Sequence, residues 1–388
     1  MSTRQLGIIF ICTLIPWTVG AAFAALLPVY VTQLGADSVT AGNYVAVTFL
    51  ALSIGTVAGG WLFDQLPRRK PLLLIAGLVS AAATGLMSRT TDIGLLMALT
   101  STAYLAGGIV LAITNALVGL LAEPSQRGKT FGIIGISLGL GNFIGGVASG
   151  PIVDHWGFPV LFIVLAGCWL LPLVATRFLE EAGGHGEPSA PKAALSALGM
   201  PFYLLLIANT LAWLSIFIAD LGRPLQMNAF SFGATAISDT TAIAGAVSIP
   251  LPFLLGWLAD RFDHRRLIAL CFLAGVLSLV LLAFSTALWH FWISTIFGTL
   301  VSASSIVGSA LVTDLVAPEA LGQALSRYGA TGWIAGVIGS ALTGYAIQSL
   351  GMEQTFILGA LLPLLGTLIV SRIHLARRVA VTESFPSA

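Results

Sequence analysis

Charge is scarce in this chain. Only 9% of its 388 residues are Asp, Glu, Lys or Arg, and 57% are hydrophobic, whereas soluble domains carry roughly 25% charged residues. That shortage excludes a fully water-facing surface, so most of the outside is expected to meet lipid. Cysteine is scarcer still. Cys12, Cys168 and Cys271 are odd in number, far apart and set in apolar runs, which points to packing rather than to a disulfide or a metal cluster. The five histidines are scattered, and none stands in a metal-ligand spacing. No catalytic constellation, metal site or cofactor is therefore expected, and the chain does not read as an enzyme. A formal net charge of +1 gives no footing for nucleic acid. Gly128-Lys129-Thr130 ends like a phosphate-binding loop, but Glu123 occupies the place of its first glycine, so no ATPase module is read here.

What is present is long apolar sequence. Stretches near 6–31, 41–63, 71–88, 93–121, 130–152, 158–178, 200–221, 239–259, 267–286, 288–313, 324–347 and 354–373 approach or exceed the roughly 20 residues of a membrane-crossing helix. They are too long for the strands of a barrel. The first run is too long for a signal peptide's core and is read as a retained helix. Of the seventeen lysines and arginines, all but Arg89 and Arg223 fall on one side of a twelve-helix reading. The positive-inside bias then predicts that both termini are cytoplasmic.

One long polar connection, residues 179–198, divides the chain into an amino-terminal bundle of 1–178 and a carboxyl-terminal bundle of 199–388. The halves repeat each other. Gly60-Trp61-Leu62-Phe63-Asp64 and Gly256-Trp257-Leu258-Ala259-Asp260 lie 196 residues apart, and Pro28 and Pro224 keep that offset. At an offset of 194, Pro124 matches Pro318, Gly128 matches Gly322, Gly150 matches Gly344 and Gly157 matches Gly351. Tandem halves with a site at their interface near the midplane are a transporter plan.

The segment Gly60-x-Leu62-x-Asp64, followed by Arg68-Arg69-Lys70, resembles motif A of the major facilitator superfamily, with Gln65 and Pro67 as departures. Its second copy runs from Gly256 to Arg266 with Asp263 in place of a glycine, and Glu123-Pro124-x-x-Arg127-Gly128 is similar to the family's loop between helices 4 and 5. The resemblance covers essentially the whole chain. It implies an all-α membrane protein of twelve helices in two pseudo-symmetric six-helix bundles, similar to drug-efflux members. It also implies a cytoplasmic gate formed by Asp64, Arg68, Arg69, Arg127, Asp260 and Arg265. In that reading Asp64 latches the helix 11 end and Asp260 the helix 5 end, since a carboxylate favours a helix N-terminus.

Helix 5 carries Gly135, Gly139, Gly141, Gly145, Gly146 and Gly150, a pattern for close helix packing. It resembles motif C of the family's drug antiporters, but Asn142 stands where that motif has proline. Ionisable groups inside the membrane are functional suspects, and this chain offers few. Asp220 and Arg223, three residues apart near the end of helix 7, form a candidate outer gate or coupling pair. Arg327 is expected to snorkel or to meet Asp314. The family's cavity helices carry neutral polar groups and aromatics, which makes Trp17, Asn115, Asn142, Asn209 and Trp213 the candidate substrate cavity. These features predict a secondary transporter of a small amphipathic or weakly polar solute, working by alternating access, with export favoured by the resemblance. Its partners would be that solute, the bilayer and, as a candidate coupling ion, the proton, and it is expected to act as a monomer. Facilitated or cation-coupled metabolite uptake and a non-transporting receptor are the alternatives.

Overall fold

The computed structural model of the chain describes residues 2–66, 68–123, 126–180, 198–317 and 320–373, apart from the side chains of residues 127 and 128. Among them the regular structure is helical throughout. Short polar residues start several helices by accepting from free amide groups of the first turn. Ser2 accepts from the Gln5 amide at 3.3 Å, and α1 runs Thr3–Gln33. Asp37 accepts from Thr40 at 2.8 Å to start α2, Ser38–Gln65, and this hydrogen bonding holds its carboxyl below the usual range. Then come α3, Lys70–Leu86, and α4, Ile93–Leu121, whose first turn Asp92 caps. Next are α5, Arg127–Cys168, and α6, Leu170–Thr176.

The second half follows the same order. It comprises α7, Met200–Ala229; α8, Ala234–Ser248; α9, Leu251–Ala259; α10, His264–Ala283; α11, Leu288–Leu315; α12, Leu321–Leu350; and α13, Met352–Arg372. Ten helices among the described residues are long and apolar enough to cross a membrane. One of these is two crossings, because Gly157 breaks α5 with φ of 78°, a backbone state that a side chain resists. Gly351, its repeat partner, turns the chain between α12 and α13 with φ of 86°. The last crossing is the pair α8 and α9, bent by 42° at Ile249–Pro250, where proline cannot continue the hydrogen-bond ladder. Twelve crossings in two six-helix halves result. The expected linker 179–198 lies outside the described residues except for 179, 180 and 198, as do Pro67, Pro124 and Pro318.

The lipid face is what a low-charge sequence must produce. Val57, Leu270 and Leu342 are 75%, 62% and 58% exposed, surfaces that water would penalise. Buried hydroxyls return hydrogen bonds to their own helix, as Thr13, Thr100 and Thr114 do, so few polar groups are left open to hydrocarbon. Within the halves, α2 packs on α4 and α1 on α5, mirrored by α8 on α11 and α7 on α12. Between them, α2 meets α12 and α5 meets α8.

Candidate functional site

Both helix seams between the halves are built from glycine. On α5, Gly139, Gly146 and Gly150 face α8, where a methyl group would strike Ser248, Ala242 or Thr235. Gly141 and Gly145 turn the other way and admit Trp17 and Thr18 of α1. The expected glycine face is therefore two-sided, joining α5 to its own half and to the other. Gly245 answers from α8; a Cβ there would lie 2.6 Å from the Gly139 carbonyl. In the second seam, a Cβ on Gly42 would lie 2.6 Å from the Ser340 carbonyl, and Gly344 presses on Ser38.

The two ends of the molecule differ. At the far face, away from the start of α1 and the end of α13 (the termini face), one continuous apolar core joins both halves, with Phe23, Tyr30 and Phe162 packed in a cluster that includes Met227, Ile237 and Phe291. Towards the termini face the carboxyl-terminal half has a core of its own, which includes Phe202, Val312 and Tyr328. Beyond the bend, α9 packs on α11 and no longer follows α5. Across the far face Asp154 of α5 accepts from the backbone amides of Ala234 and Thr235, both at 2.9 Å, and from the Thr235 hydroxyl. A carboxylate of one half thus caps the N-terminus of α8 in the other. No cross-half hydrogen bond is seen among the described residues at the termini face. The halves are closed at the far face and parted at the termini face.

At the apex of that parting lies a chamber of about 40 Å³ between α1, α2, α4, α7 and α12. Rings line it: Phe23, Tyr44, Phe49, Tyr104 and Phe217. Phe49 and Phe217 meet edge-on across the halves at 4.9 Å. Of its lining hydroxyls, those of Tyr44, Thr48 and Tyr104 have hydrogen-bond partners, whereas the Ser340 hydroxyl is buried with none, and Asp220 is the one carboxylate among the lining residues. Its side chain is 50% exposed, while Arg223 beside it is 8% exposed and stands 3.7 Å away, beyond hydrogen-bonding distance. The Arg223 Nε has no partner, so the pair is loosely held. The apolar pattern had placed this pair at the end of helix 7. The helix instead continues to Ala229, because Arg223 and Gln226 are buried within the half and the helix tolerates Pro224. Asp220 therefore sits nine residues, about 14 Å, inside the helix end.

The other expected residues are placed as follows. Asn209 is buried between α7 and α12, donating to the Thr331 hydroxyl at 2.7 Å and accepting from the Tyr328 hydroxyl at 3.1 Å. Trp213 leans on Phe217 at 6.2 Å and on Gly332, one step from the chamber. Trp17 is half-buried behind Gly141, Asn142 is half-buried beside Gly245, and Asn115 is exposed. None of these five lines the chamber. The chamber's rings and Ser340 were not singled out from sequence, where a phenylalanine inside an apolar run carries no signal. Asp154 was also missed, because it follows the apolar run, and so was Asp239 in the second turn of α8.

The motif A loops divide into two roles. Lys70 donates to the Arg177 and Leu179 carbonyls at 2.6 and 3.3 Å. In the second half Arg265 donates to the Ile373 carbonyl at 2.7 Å and grips Asp263 at 2.6 and 3.0 Å. Each basic cluster thus fastens the last helix of its own half, where carbonyls carry partial negative charge. The Arg265 hydrogen bonds hold the Asp263 carboxyl down at about 2. Arg69 lies over the Phe63 ring at 4.4 Å, Arg68 is exposed, and the Arg127 side chain lies outside the described residues. Asp64 and Asp260 are exposed, with no hydrogen bond or ion pair among the described residues. Asp314 meets His264 at 2.9 Å rather than Arg327, because the loop after α9 brings His264 to the end of α11.

A family model described as Major Facilitator Superfamily matches residues 9–226 and 205–385. The multidrug resistance protein MdtG of Klebsiella pneumoniae (strain 342) is 26% identical over 288 residues, covering 68% of each chain. That of Serratia proteamaculans (strain 568) is 26% identical over 305 residues, covering 73% of this chain and 72% of its own. Among solved structures, a bacterial homologue of the human lysosomal transporter Spinster, inward-facing and occupied, superposes with a TM-score of 0.81 at 12% identity, covering 97% and 98% of the two chains. The nucleoside transporter NupG gives 0.77 at 14% identity, covering 96% and 99%; at such identities the likeness speaks for the fold. With the repeat, the twelve crossings and the two matched halves in agreement, this chain belongs to the Major Facilitator Superfamily and is a secondary transporter, not an enzyme.

Proposed function

We propose that this transporter exports small amphipathic solutes that carry a cationic group, and that Asp220 receives that group. The observation that carries the reading is a lone, loosely paired carboxylate in an aromatic chamber at the seam of the halves. Ring faces attract cations, and a half-open carboxylate adds charge without a rigid partner to displace. Relatives named as multidrug resistance proteins support export. At about 40 Å³ the chamber holds one or two waters, not a drug-sized body. The cationic head would enter here while the apolar part lies between the parted halves, near Trp213 and Asn142.

The same carboxylate can take a proton, so proton and solute would compete for it and exchange. We place both termini in the cytoplasm, on the excess of basic residues at that face. The present conformation is then inward-open, and Asp64 and Asp260 are free because the gate they would latch is open. The halves are 1–178 and 199–388, joined by 179–198, and the unit acts as a monomer. The test is flux of a lipophilic cation from proteoliposomes with and without an imposed pH gradient. Gradient-driven flux in the native protein and its loss in Asp220→Asn are expected. Flux in Asp220→Asn equal to the native protein's would overturn the assignment.

A further inference from the structure

Another carboxylate, apart from the chamber and from the motif A loops, lies towards the far face. Asp239 is five residues, about 8 Å, below the start of α8 at the far face, and makes no hydrogen bond or ion pair among the described residues. It lines a groove of about 250 Å³ with Phe143 of α5, Trp292 of α11 and Ala242, Ile243 and Ala246 of α8. The groove lies on the outside of the bundle. Phe143 is 40% exposed, and Trp292 sits four residues into α11, at a depth like that of Asp239. The indole nitrogen of Trp292 is buried without a hydrogen-bond partner, so its ring is what the groove is offered. A carboxylate between two aromatic walls, above an apolar floor leading towards the membrane centre, has the chemistry of an ammonium site with room for a hydrocarbon chain. At the depth of the headgroup boundary, the molecule that combines those parts is a phospholipid with an ammonium headgroup.

We propose that this groove docks one such lipid of the far leaflet, such as phosphatidylethanolamine. Its ammonium lies against Asp239 and its acyl chain along Ile243 and Ala246. The walls belong to different halves, Phe143 to the first and Trp292 to the second, while α8 between them is held to α5 by the glycine seam. A lipid seated there touches both halves on the closed side, and so favours the state in which that side is closed. The site is separate from the Asp220 chamber, and its occupant is not transported.

Bromine on lipid acyl chains quenches nearby tryptophan fluorescence, and Trp292→Phe isolates the share that arises at this groove. The protein is reconstituted in vesicles of equal phosphatidylethanolamine and phosphatidylglycerol, with the bromines on one lipid or the other. Brominated phosphatidylethanolamine should quench the Trp292 share about threefold more, the size expected of a part-exposed ion pair, and Asp239→Asn should equalise the two lipids. Distances across the far face, read by spin labels, should lengthen on average in Asp239→Asn in the same vesicles. Equal quenching by both lipids in the native protein, or an undiminished preference in Asp239→Asn, overturns the proposal. Quenching that a long-chain alkylamine relieves equally for both lipids also overturns it, since the occupant would then be a soluble amphiphile.

Discussion

Removing the Asp154 carboxylate should open the far face. This side chain gives the α8 N-terminus two backbone hydrogen bonds at 2.9 Å and one to a hydroxyl. Loss of an N-cap costs about 1 kcal/mol, and loss of a negative charge at a helix N-terminus a further ~0.3–1 kcal/mol. Asp154 is exposed, so the charge contributes towards the lower end of its range, about 0.5 kcal/mol, and the sum is about 1.5 kcal/mol. The contact exists only while α5 and α8 are together, so its loss acts on the closed state alone. Asp154→Ala should then shift the closed-to-open ratio roughly tenfold. Asp154→Asn keeps an acceptor and should shift it by only about two- to fivefold. Spin labels on cysteines placed at exposed Gln33 and Gln348, in a background without the three native cysteines, report the distance distribution across the far face. An unchanged distribution in Asp154→Ala, or a larger shift in Asp154→Asn than in Asp154→Ala, would refute the reasoning.

Four further outcomes are expected. Gly245→Ala places a methyl group against the Gly139 carbonyl, and at about 1–3 kcal/mol for overpacking it should also depopulate the closed far face in the label experiment. Asp64→Ala removes no hydrogen bond or ion pair among the described residues, so it should leave insertion and folding intact while lowering flux, with labels at the termini face showing fewer closed molecules. Asn209→Ala strands the Tyr328 hydroxyl and should lower thermal stability by about 1–3 kcal/mol with little change in apparent solute affinity. Asp263→Asn should loosen the junction of α10 with the end of α13. Because the folded carboxyl is held at about 2, below its ordinary value near 3.9, this contribution is complete above pH 4. It fades as pH falls from about 4 through about 2, so the loss of stability in Asp263→Asn should be the same at pH 5 and pH 8.

The architecture was legible because it follows from one-dimensional quantities: apolar length, the offsets of 194 and 196, and the placing of basic residues. Gly157 and Gly351 stand as repeat partners in the sequence, and both turn the chain with positive φ. The site was less legible because it depends on which faces converge. Asn115 and Asn209 look alike in sequence, yet one is exposed and the other is fully occupied as a bridge between α7 and α12. Asp220 stood out since a carboxylate in an apolar run is costly, but its depth did not, because the polar last turns of α7 hide that the helix continues. Arg265, expected at the gate, also grips Asp263 of its own loop and the Ile373 carbonyl, while Asp64 and Asp260 make no hydrogen bond or ion pair among the described residues.

The two glycine seams look equivalent, yet among the described residues only one of them has a catch. Gln348 stands 194 residues beyond Asp154, and no hydrogen bond among the described residues joins it to the start of α2. A structure held by a bolt on one edge and by fit alone on the other does not swing evenly. The α2–α12 edge is expected to part first and the α5–α8 edge to serve as the hinge until Asp154 lets go. The way out would then open as an asymmetric slot, admitting the solute from one flank before the other.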